Sequence, residues 1–262
     1  MIRREVSNGT DSPGSWLLIS QIDHAHLAFR LAHAWGATPF TRLVERDQLL
    51  WAIDHHDDGW RDWERQPEVD PDSGRPRSFT EMEASDSLAI WSGSIVASAR
   101  QGALAGYVVA GHFAALAGRI AEAGGAAERR SVERFIKVQE ELMAHSLAAW
   151  QTLDPVANTV RQARLALAQL QFFDLLSLWL CCDETTEPDR VEPPGGPELT
   201  LTPISASHVR VAPWPFLAPT LELDVSAQQV PAGHYASSRE LALAPSQPAQ
   251  LRWLLQADAG TR

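Results

Sequence analysis

Cysteine is scarce in this sequence. Only two of the 262 residues are cysteines, and they are adjacent, Cys181 and Cys182, within an apolar run. Such a pair does not form a disulfide framework, so a chain of this length is expected to be stabilised by a hydrophobic core instead. Scarce cysteine is also typical of a reducing compartment, and we therefore expect a cytoplasmic protein.

Positive charge is also in short supply. The chain has 22 lysines and arginines against 33 aspartates and glutamates, which gives a net charge of -11. Nucleic acids and anionic membrane surfaces are bound through basic faces. We therefore expect neither a nucleic-acid nor a membrane partner. Nothing in the sequence indicates an oligomeric state.

Long uninterrupted apolar runs are missing. The first twenty residues contain only a short apolar stretch, so no signal peptide is expected. The best candidate for a membrane span, residues 165–182, carries Asp174 near its middle, where a carboxylate is costly in a bilayer. A buried core helix is the better interpretation. A carboxylate on such a helix must be paired, protonated or bound to a metal.

The pattern of apolar residues changes near residue 184. Before it, apolar residues recur at helical spacing; after the linker-like "TTEPDRVEPPGGP", stretches such as "ELTLTPI" and "HVRVAPW" alternate as strands do. We predict a mainly α fold with two parts. Residues 1–183 form a helical domain, and residues 184–262 form a Pro-rich linker with a small antiparallel β appendage that packs on the helices.

The densest group of ionisable side chains is "AIDHHDDGW", residues 52–60, at the end of a predicted helix. His56 and Asp57 lie three and four residues after Ile53, which places them on the apolar face. The helix dipole favours a protonated histidine at a helix C-terminus, but it disfavours Asp57 and Asp58 there. We therefore expect a cation nearby to compensate the two carboxylates.

Further metal-type side chains lie on apolar faces of the other helices. His24 shares a face with Leu27 and Leu31, although its neighbour His26 is an alternative inward-facing histidine. A single buried histidine needs no more explanation than a hydrogen bond to a carbonyl group, but six inward-facing imidazoles and carboxylates exceed what packing requires. Together they suit one ion of Mn, Fe, Co, Ni or Zn. The six candidates are His24, His56, Asp57, His112, His145 and Asp174.

The order of these residues resembles that of the HD-domain superfamily of metal-dependent phosphohydrolases. The matching elements are His24, then "HDDG" from His56 to Gly59, then Asp174. The wider phrasing, including "QIDHAHLAFRLAHAWG" and "FFDLLSLWLC", is similar to a bacterial branch whose members carry only domain-of-unknown-function labels. The resemblance covers about residues 20–182. It selects His56 over His55, because only His56 directly precedes an aspartate with a glycine two residues further on.

The resemblance implies a fold and an activity. The helical domain would be an HD-like bundle that hydrolyses a phosphate ester or a nucleotide-like small molecule. Asp58 would be the catalytic residue that orients the attacking water or accepts its proton. The ligands of the divalent metal would be His24, His56, Asp57 and Asp174.

Two features leave other functions open. HD proteins with two metals carry extra histidines between the motif and the last aspartate, and His112 and His145 occur in that order; a second metal would suit either a hydrolase or a di-iron oxygenase. Many HD hydrolases also have a basic residue after the motif glycine, where this chain has Trp60. The absence of this basic residue favours a non-catalytic protein that binds a metal or small ligand. The predicted substrate pocket comprises Trp60, Arg61 and Phe79.

Overall fold

The computed structural model describes residues 1–6, 14–123, 125–182 and 186–258. Within these residues, three short 3-10 turns cover residues 58–60, 63–65 and 79–81. The helices are α1 (Gln21–Ala34), α2 (Arg46–His55), α3 (Ala84–Gln101), α4 (Ala103–Ala123), α5 (Ala126–Leu153), α6 (Val160–Cys181) and α7 (Ser238–Leu243). The strands are β1 (Ile2–Val6), β2 (Ser15–Ile19), β3 (Asp189–Val191), β4 (Leu199–Ser205), β5 (His208–Ala212), β6 (Thr220–Pro231) and β7 (Gln247–Ala257).

All seven of these strands belong to one sheet, in the order β1-β2-β6-β7-β5-β4-β3. Neighbouring strands run antiparallel except β5 and β7, which are parallel. The longest pairing joins β6 to β7, from Thr220 opposite Gln256 to Gln229 opposite Gln247. Strand β2 pairs with β6, with Ser15 opposite Pro231, so a strand that precedes α1 pairs with one that follows α6.

The prediction of a mainly α fold with a small C-terminal antiparallel β appendage is wrong. The chain is 51% helical and 21% strand, and its seven strands form a mixed half-barrel sheet, so the fold is α/β. Strands β1 and β2 lie before the first helix and pair with each other, and β2 also pairs with β6, which is far away in sequence. Local alternation does not reveal such pairings. The boundary predicted between residues 183 and 184 falls at Asp183, outside the described residues.

Side-chain caps precede α1 and α6, the helices that carry His24 and Asp174. Ser20 precedes α1, and its side chain accepts a hydrogen bond from the backbone N–H of Asp23 at 2.9 Å. Thr159 precedes α6 and accepts one from the backbone N–H of Gln162 at 3.2 Å. Each bond satisfies an N–H that has no partner within the helix. The starting points, and hence the inward faces, of both helices are thereby set.

Helices and sheet share one apolar core. Inward residues of the strands, among them Leu201, Val211 and Leu223, belong to the same buried cluster as Leu31 of α1. Burial of this apolar surface is the main favourable contribution to folding. Trp35, directly after α1, joins the two layers, because its ring lies 5.0 to 5.9 Å from four phenylalanine rings. These are Phe40, Phe172, Phe173 and Phe216.

Two helical segments of the described chain are long and apolar enough to cross a membrane by length and composition. They are Ala103–Ala121 of α4 and Val160–Cys181 of α6, with 61% and 50% of their residues buried within the protein. Core helices of a globular fold have the same length and composition. The absence of a membrane partner stays a prediction.

Candidate metal centre

Four helices bring imidazoles and carboxylates to one buried point. α1 supplies one histidine, the end of α2 a histidine and the aspartate that follows it, α4 a further histidine and α6 an aspartate. The four residues of α1, α2 and α4 are at most 5% exposed, and the side chain of the α6 aspartate is 13% exposed. The cluster consists of His24, His56, Asp57, His112 and Asp174.

Two histidines and two aspartates form the centre of this cluster. The Nε2 atom of His24 lies 3.2 Å from Oδ2 of Asp57 and 3.3 Å from Oδ1 of Asp174. The Nε2 atom of His56 lies 3.4 Å and 3.3 Å from the same two oxygens. Each imidazole nitrogen therefore faces one oxygen of each carboxylate.

These separations fit a shared cation better than direct hydrogen bonds. Hydrogen bonds between an imidazolium and a carboxylate are typically about 2.7 to 2.9 Å long. Two donors bound to one ion at about 2.1 Å lie about 3.0 Å apart at right angles and about 3.4 Å apart in a tetrahedron. The four nitrogen–oxygen separations of 3.2 to 3.4 Å lie between these two values, and the ligand atoms of His24, His56 and Asp174 all lie within 4.8 Å of one another. The residues present therefore fit a divalent transition metal.

The outer ring nitrogens of both histidines are already engaged. Nδ1 of His56 lies 2.7 Å from the backbone oxygen of Ile53, which only accepts hydrogen bonds, so this nitrogen carries a proton. Nδ1 of His24 lies 2.8 Å from Oγ of Ser177. With Nδ1 as the donor, a neutral imidazole presents the lone pair of Nε2 to the centre. Metal-binding histidines are commonly held in this way.

The charges of the cluster compensate one another when no ion is bound. Burial opposes the charged form of His56, but the carboxylates of Asp57 and Asp174 outweigh burial and raise its pKa to about 9. Burial is likewise outweighed at His24, whose pKa is raised by Asp174 and Asp57. Burial would raise the pKa of Asp57, yet the adjacent His56 and His24 hold it below its ordinary value. Two imidazolium ions thus balance two carboxylates.

His112 differs from the other two histidines. Its Nε2 atom lies 3.8 Å from Oδ2 of Asp174, and its Nδ1 atom is buried without a hydrogen-bond partner among the described residues. Burial lowers the pKa of this imidazole to about 4, so it is neutral at physiological pH. Its ring stands at 90° to that of His56, with centroids 5.5 Å apart. A neutral imidazole beside the free oxygen of Asp174 extends the donor set without adding charge.

The stability of the metal-free protein is expected to fall as the pH rises from 6.5 to 9. The pKa of His56 is about 9 in the folded protein and 6.5 in the unfolded chain, so the folded state holds the extra proton in this interval. The contribution is fully present below pH 6.5 and amounts to about 3 kcal/mol at most. Urea unfolding in a chelating buffer measures it. Stability that stays constant across this interval would contradict the charge assignment.

Gly59 allows the turn after α2 to contact α3 directly. A Cβ atom at this position would lie 2.0 Å from the backbone oxygen of Ile90 and 2.8 Å from the backbone nitrogen of Ser94. The N–H of Gly59 donates a 2.9 Å hydrogen bond to Oγ of Ser94, which is fully buried. This contact fixes the segment that carries His56 and Asp57, and it explains physically why the motif contains glycine.

Comparison with known proteins places the chain in a family. The sequence profile of a protein family of unknown function, DUF3891, matches residues 2–232. The matched residues are most of the chain and include the whole cluster. The chain belongs to the DUF3891 family. No curated protein and no solved structure matches it significantly.

The structure of this DUF3891 protein brings together the four predicted metal ligands and His112. It does not bring His145 to them. His145 is exposed on α5, where the neighbouring Ser146 is the buried residue. His26 is exposed as well and contacts Asp54 on the surface, so His24 is the inward histidine of α1.

The predicted catalytic and pocket residues of the DUF3891 protein lie in different surroundings. Asp58 is partly exposed; its Oδ2 lies 3.0 Å from Nδ1 of His55, and its Oδ1 accepts a 2.7 Å hydrogen bond from Arg61. Trp60 is 3% exposed and packs in the core against Trp63. Phe79 is half-buried, and its backbone N–H donates a hydrogen bond to the backbone oxygen of Met1.

Two serines of the DUF3891 protein take part in the site without having been predicted. The hydroxyl oxygen of Ser94 accepts a hydrogen bond from the N–H of Gly59, and the hydroxyl of Ser177 is hydrogen-bonded to Nδ1 of His24. Neither serine stands out in an apolar helix. The available signal for Ser177 is its position three residues after Asp174, which puts both on one helical face.

Proposed function

We propose that this protein is a metal-dependent hydrolase of the HD type that acts on a phosphate ester or a nucleotide-like small molecule. The observation that carries the proposal is the convergence of His24, His56 and Asp174, whose ligand atoms all lie within 4.8 Å of one another. Asp57 adds a carboxylate oxygen 3.2 and 3.4 Å from the two imidazole nitrogens. Direct ion pairs explain this spacing less well than a common divalent ion. The resemblance of His24, the "HDDG" motif and Asp174 to HD hydrolases supports the same proposal.

We expect the site to bind one ion. Mn, Fe, Co, Ni and Zn suit its mixed nitrogen and oxygen donors. When bound, such an ion lowers the pKa of a coordinated water and stabilises charge on a phosphoryl oxygen. The neutral forms of His24 and His56 supply lone pairs, while Asp57 and Asp174 supply negative charge. Metal binding therefore releases the Nε2 protons that the two imidazoles hold in the metal-free site. Because protons compete with the ion, metal affinity rises with pH.

Asp58 is the proposed proton acceptor for the attacking water. It directly follows Asp57 but, unlike Asp57, it is partly open to solvent, with 23% of its side chain exposed. His55 and Arg61 contact its two oxygens. In this proposal the carboxylate, which is next in sequence to a candidate ligand, orients the attacking water or takes its proton.

The proposal is tested by metal analysis followed by a substrate screen. The purified protein is expected to contain about one transition-metal ion per chain. Nucleotides and simple phosphate esters are then screened for hydrolysis with added Mn²⁺, Co²⁺ or Ni²⁺. Asp58→Asn should retain the metal and lose most of the turnover, by about 100-fold or more. Turnover that persists in a chelating buffer would argue against the proposal.

A second candidate function is a non-catalytic protein that binds a metal or small ligand. Phosphate recognition by HD hydrolases commonly uses a basic residue after the motif glycine, and here that position is the buried Trp60. Arg61, the next residue, is paired with Asp58. Among the described residues, no arginine or lysine forms an ion pair with Asp57 or Asp174. Stoichiometric metal without turnover on any phosphate ester would support this candidate.

The di-iron oxygenase alternative has less support. It needs a second set of ligands, for which the sequence offered His112 and His145. His112 lies beside Asp174, but His145 is exposed on α5 and does not contact the cluster. One histidine of the predicted pair, His112, therefore contacts the cluster, and the other does not.

A further inference from the structure

Ser177 lies behind the candidate metal centre, on the same helix as Asp174. It is fully buried, and its hydroxyl is the hydrogen-bond partner of the outer nitrogen of His24. The hydroxyl also lies 2.8 Å from the backbone oxygen of Asp174, one helical turn earlier. Ser177 therefore connects α1 to α6 directly behind two of the candidate ligands.

The number of protons and lone pairs on Ser177 and its two partners determines which group donates in each hydrogen bond. A backbone oxygen only accepts, so the hydroxyl proton of Ser177 is directed to the oxygen of Asp174. The lone pairs of Oγ are then left for His24, whose Nδ1 must be the donor in the 2.8 Å contact. A neutral imidazole carries one proton. With that proton on Nδ1, the lone pair is on Nε2, 3.2 and 3.3 Å from the two carboxylate oxygens.

We propose that Ser177 is a positioning residue that selects the tautomer of His24 and holds its Nε2 lone pair toward the ion. This inference rests on the proposed metal-dependent function. His56 obtains the same selection from the backbone oxygen of Ile53, which no side-chain substitution removes. Of the two outer hydrogen-bond partners, Ser177 is therefore the one whose side chain can be substituted to test the tautomer of a candidate ligand. Loss of such an outer partner typically weakens metal binding about 10- to 100-fold.

The test compares Ser177→Ala with a matched control, Ser98→Ala. Ser98 is also a fully buried helical serine, but its hydroxyl has no hydrogen-bond partner among the described residues. Affinity for Mn²⁺ and Zn²⁺ is measured by competition with a chelator at pH 7.5. Ser177→Ala is expected to bind each ion about 10- to 100-fold more weakly than the wild type. Ser98→Ala is expected to bind them as the wild type does.

A second measurement reports the tautomer itself. In ¹⁵N-histidine-labelled wild-type protein loaded with Zn²⁺, the ring proton of His24 is expected on Nδ1, protected from exchange. In Ser177→Ala this proton should exchange faster or move to the other nitrogen. A purely structural serine would change the melting temperature without changing the proton position.

The outcomes separate the two proposals. Wild-type protein that binds metal while Ser177→Ala binds it equally well overturns the role of Ser177 and leaves the proposed function standing. Wild-type protein that binds no metal overturns the proposed function. That result also overturns the role of Ser177, because this role is to hold the Nε2 lone pair of His24 toward an ion.

Discussion

Asp174→Asn and His56→Ala are each expected to abolish stoichiometric binding of transition metals. His56 supplies one of the two imidazole donors, and Asp174 faces both imidazoles at 3.3 Å and His112 at 3.8 Å. An ion that binds only the folded state stabilises it by about 2.7 kcal/mol at 100 times its dissociation constant. Added Mn²⁺ should therefore raise the melting temperature of the wild type, and not that of either variant.

The control for these variants is His33→Ala. His33 lies in the last turn of the same helix as His24, but its side chain is exposed. This variant should keep both the metal and the thermal response. A wild-type protein that contains no transition metal, and whose melting temperature responds to none, would leave the cluster as a set of buried ion pairs. The main support for an enzyme would then be gone.

Gly59→Ala is expected to be the most damaging single-methyl substitution near the site. The added Cβ would lie 2.0 Å from the backbone oxygen of Ile90, and backbone atoms of α3 have little freedom to move. The turn must shift away from α3, which also breaks the hydrogen bond to Ser94. We expect a loss of about 3 kcal/mol or more in unfolding free energy. Weaker metal binding should accompany it, because Asp57 lies two residues away.

Gly118→Ala is the matched control for this substitution. Gly118 lies within α4, and a Cβ atom there would have no neighbour within 4 Å among the described residues. Alanine is favoured over glycine inside a helix by about 0.5 to 1 kcal/mol, so this variant should be as stable as the wild type or slightly more so. Urea unfolding at one pH measures both variants. Equal stabilities for the two alanine variants would refute the proposed contact between the turn and α3.

The inward position of the candidate ligands was predictable because each has a local signal. His24, His56 and Asp174 lie at helical spacing from apolar neighbours, and this periodicity correctly predicts that they face the core. His145 is an exception to this prediction. Its apolar neighbours at helical spacing also placed it on an inward face, yet α5 is rotated so that Ser146 is buried instead. A long helix with several apolar faces does not specify its rotation from sequence alone.

The sheet was not predictable in the same way. One of its pairings, between β2 and β6, joins residues that are more than two hundred positions apart, such as Ser15 with Pro231. Strand β1 has five residues and β3 has three, and the periodicity of such short segments is weak. The parallel pairing of β5 with β7 places the last described strand between two earlier ones. Alternation in the sequence predicts strands, but it does not predict which strands are neighbours.

The position of β7 has a consequence for the order of events during synthesis. This strand, Gln247–Ala257, lies in the centre of the sheet, between β6 and β5, although it lies beyond the family match at residues 2–232. The part of the sheet formed by β1, β2 and β6 therefore cannot be joined to the part formed by β5, β4 and β3 before β7 has been synthesised. The nascent chain is accordingly expected to bind chaperones until β7 has emerged from the ribosome, since late long-range pairings leave apolar surface exposed.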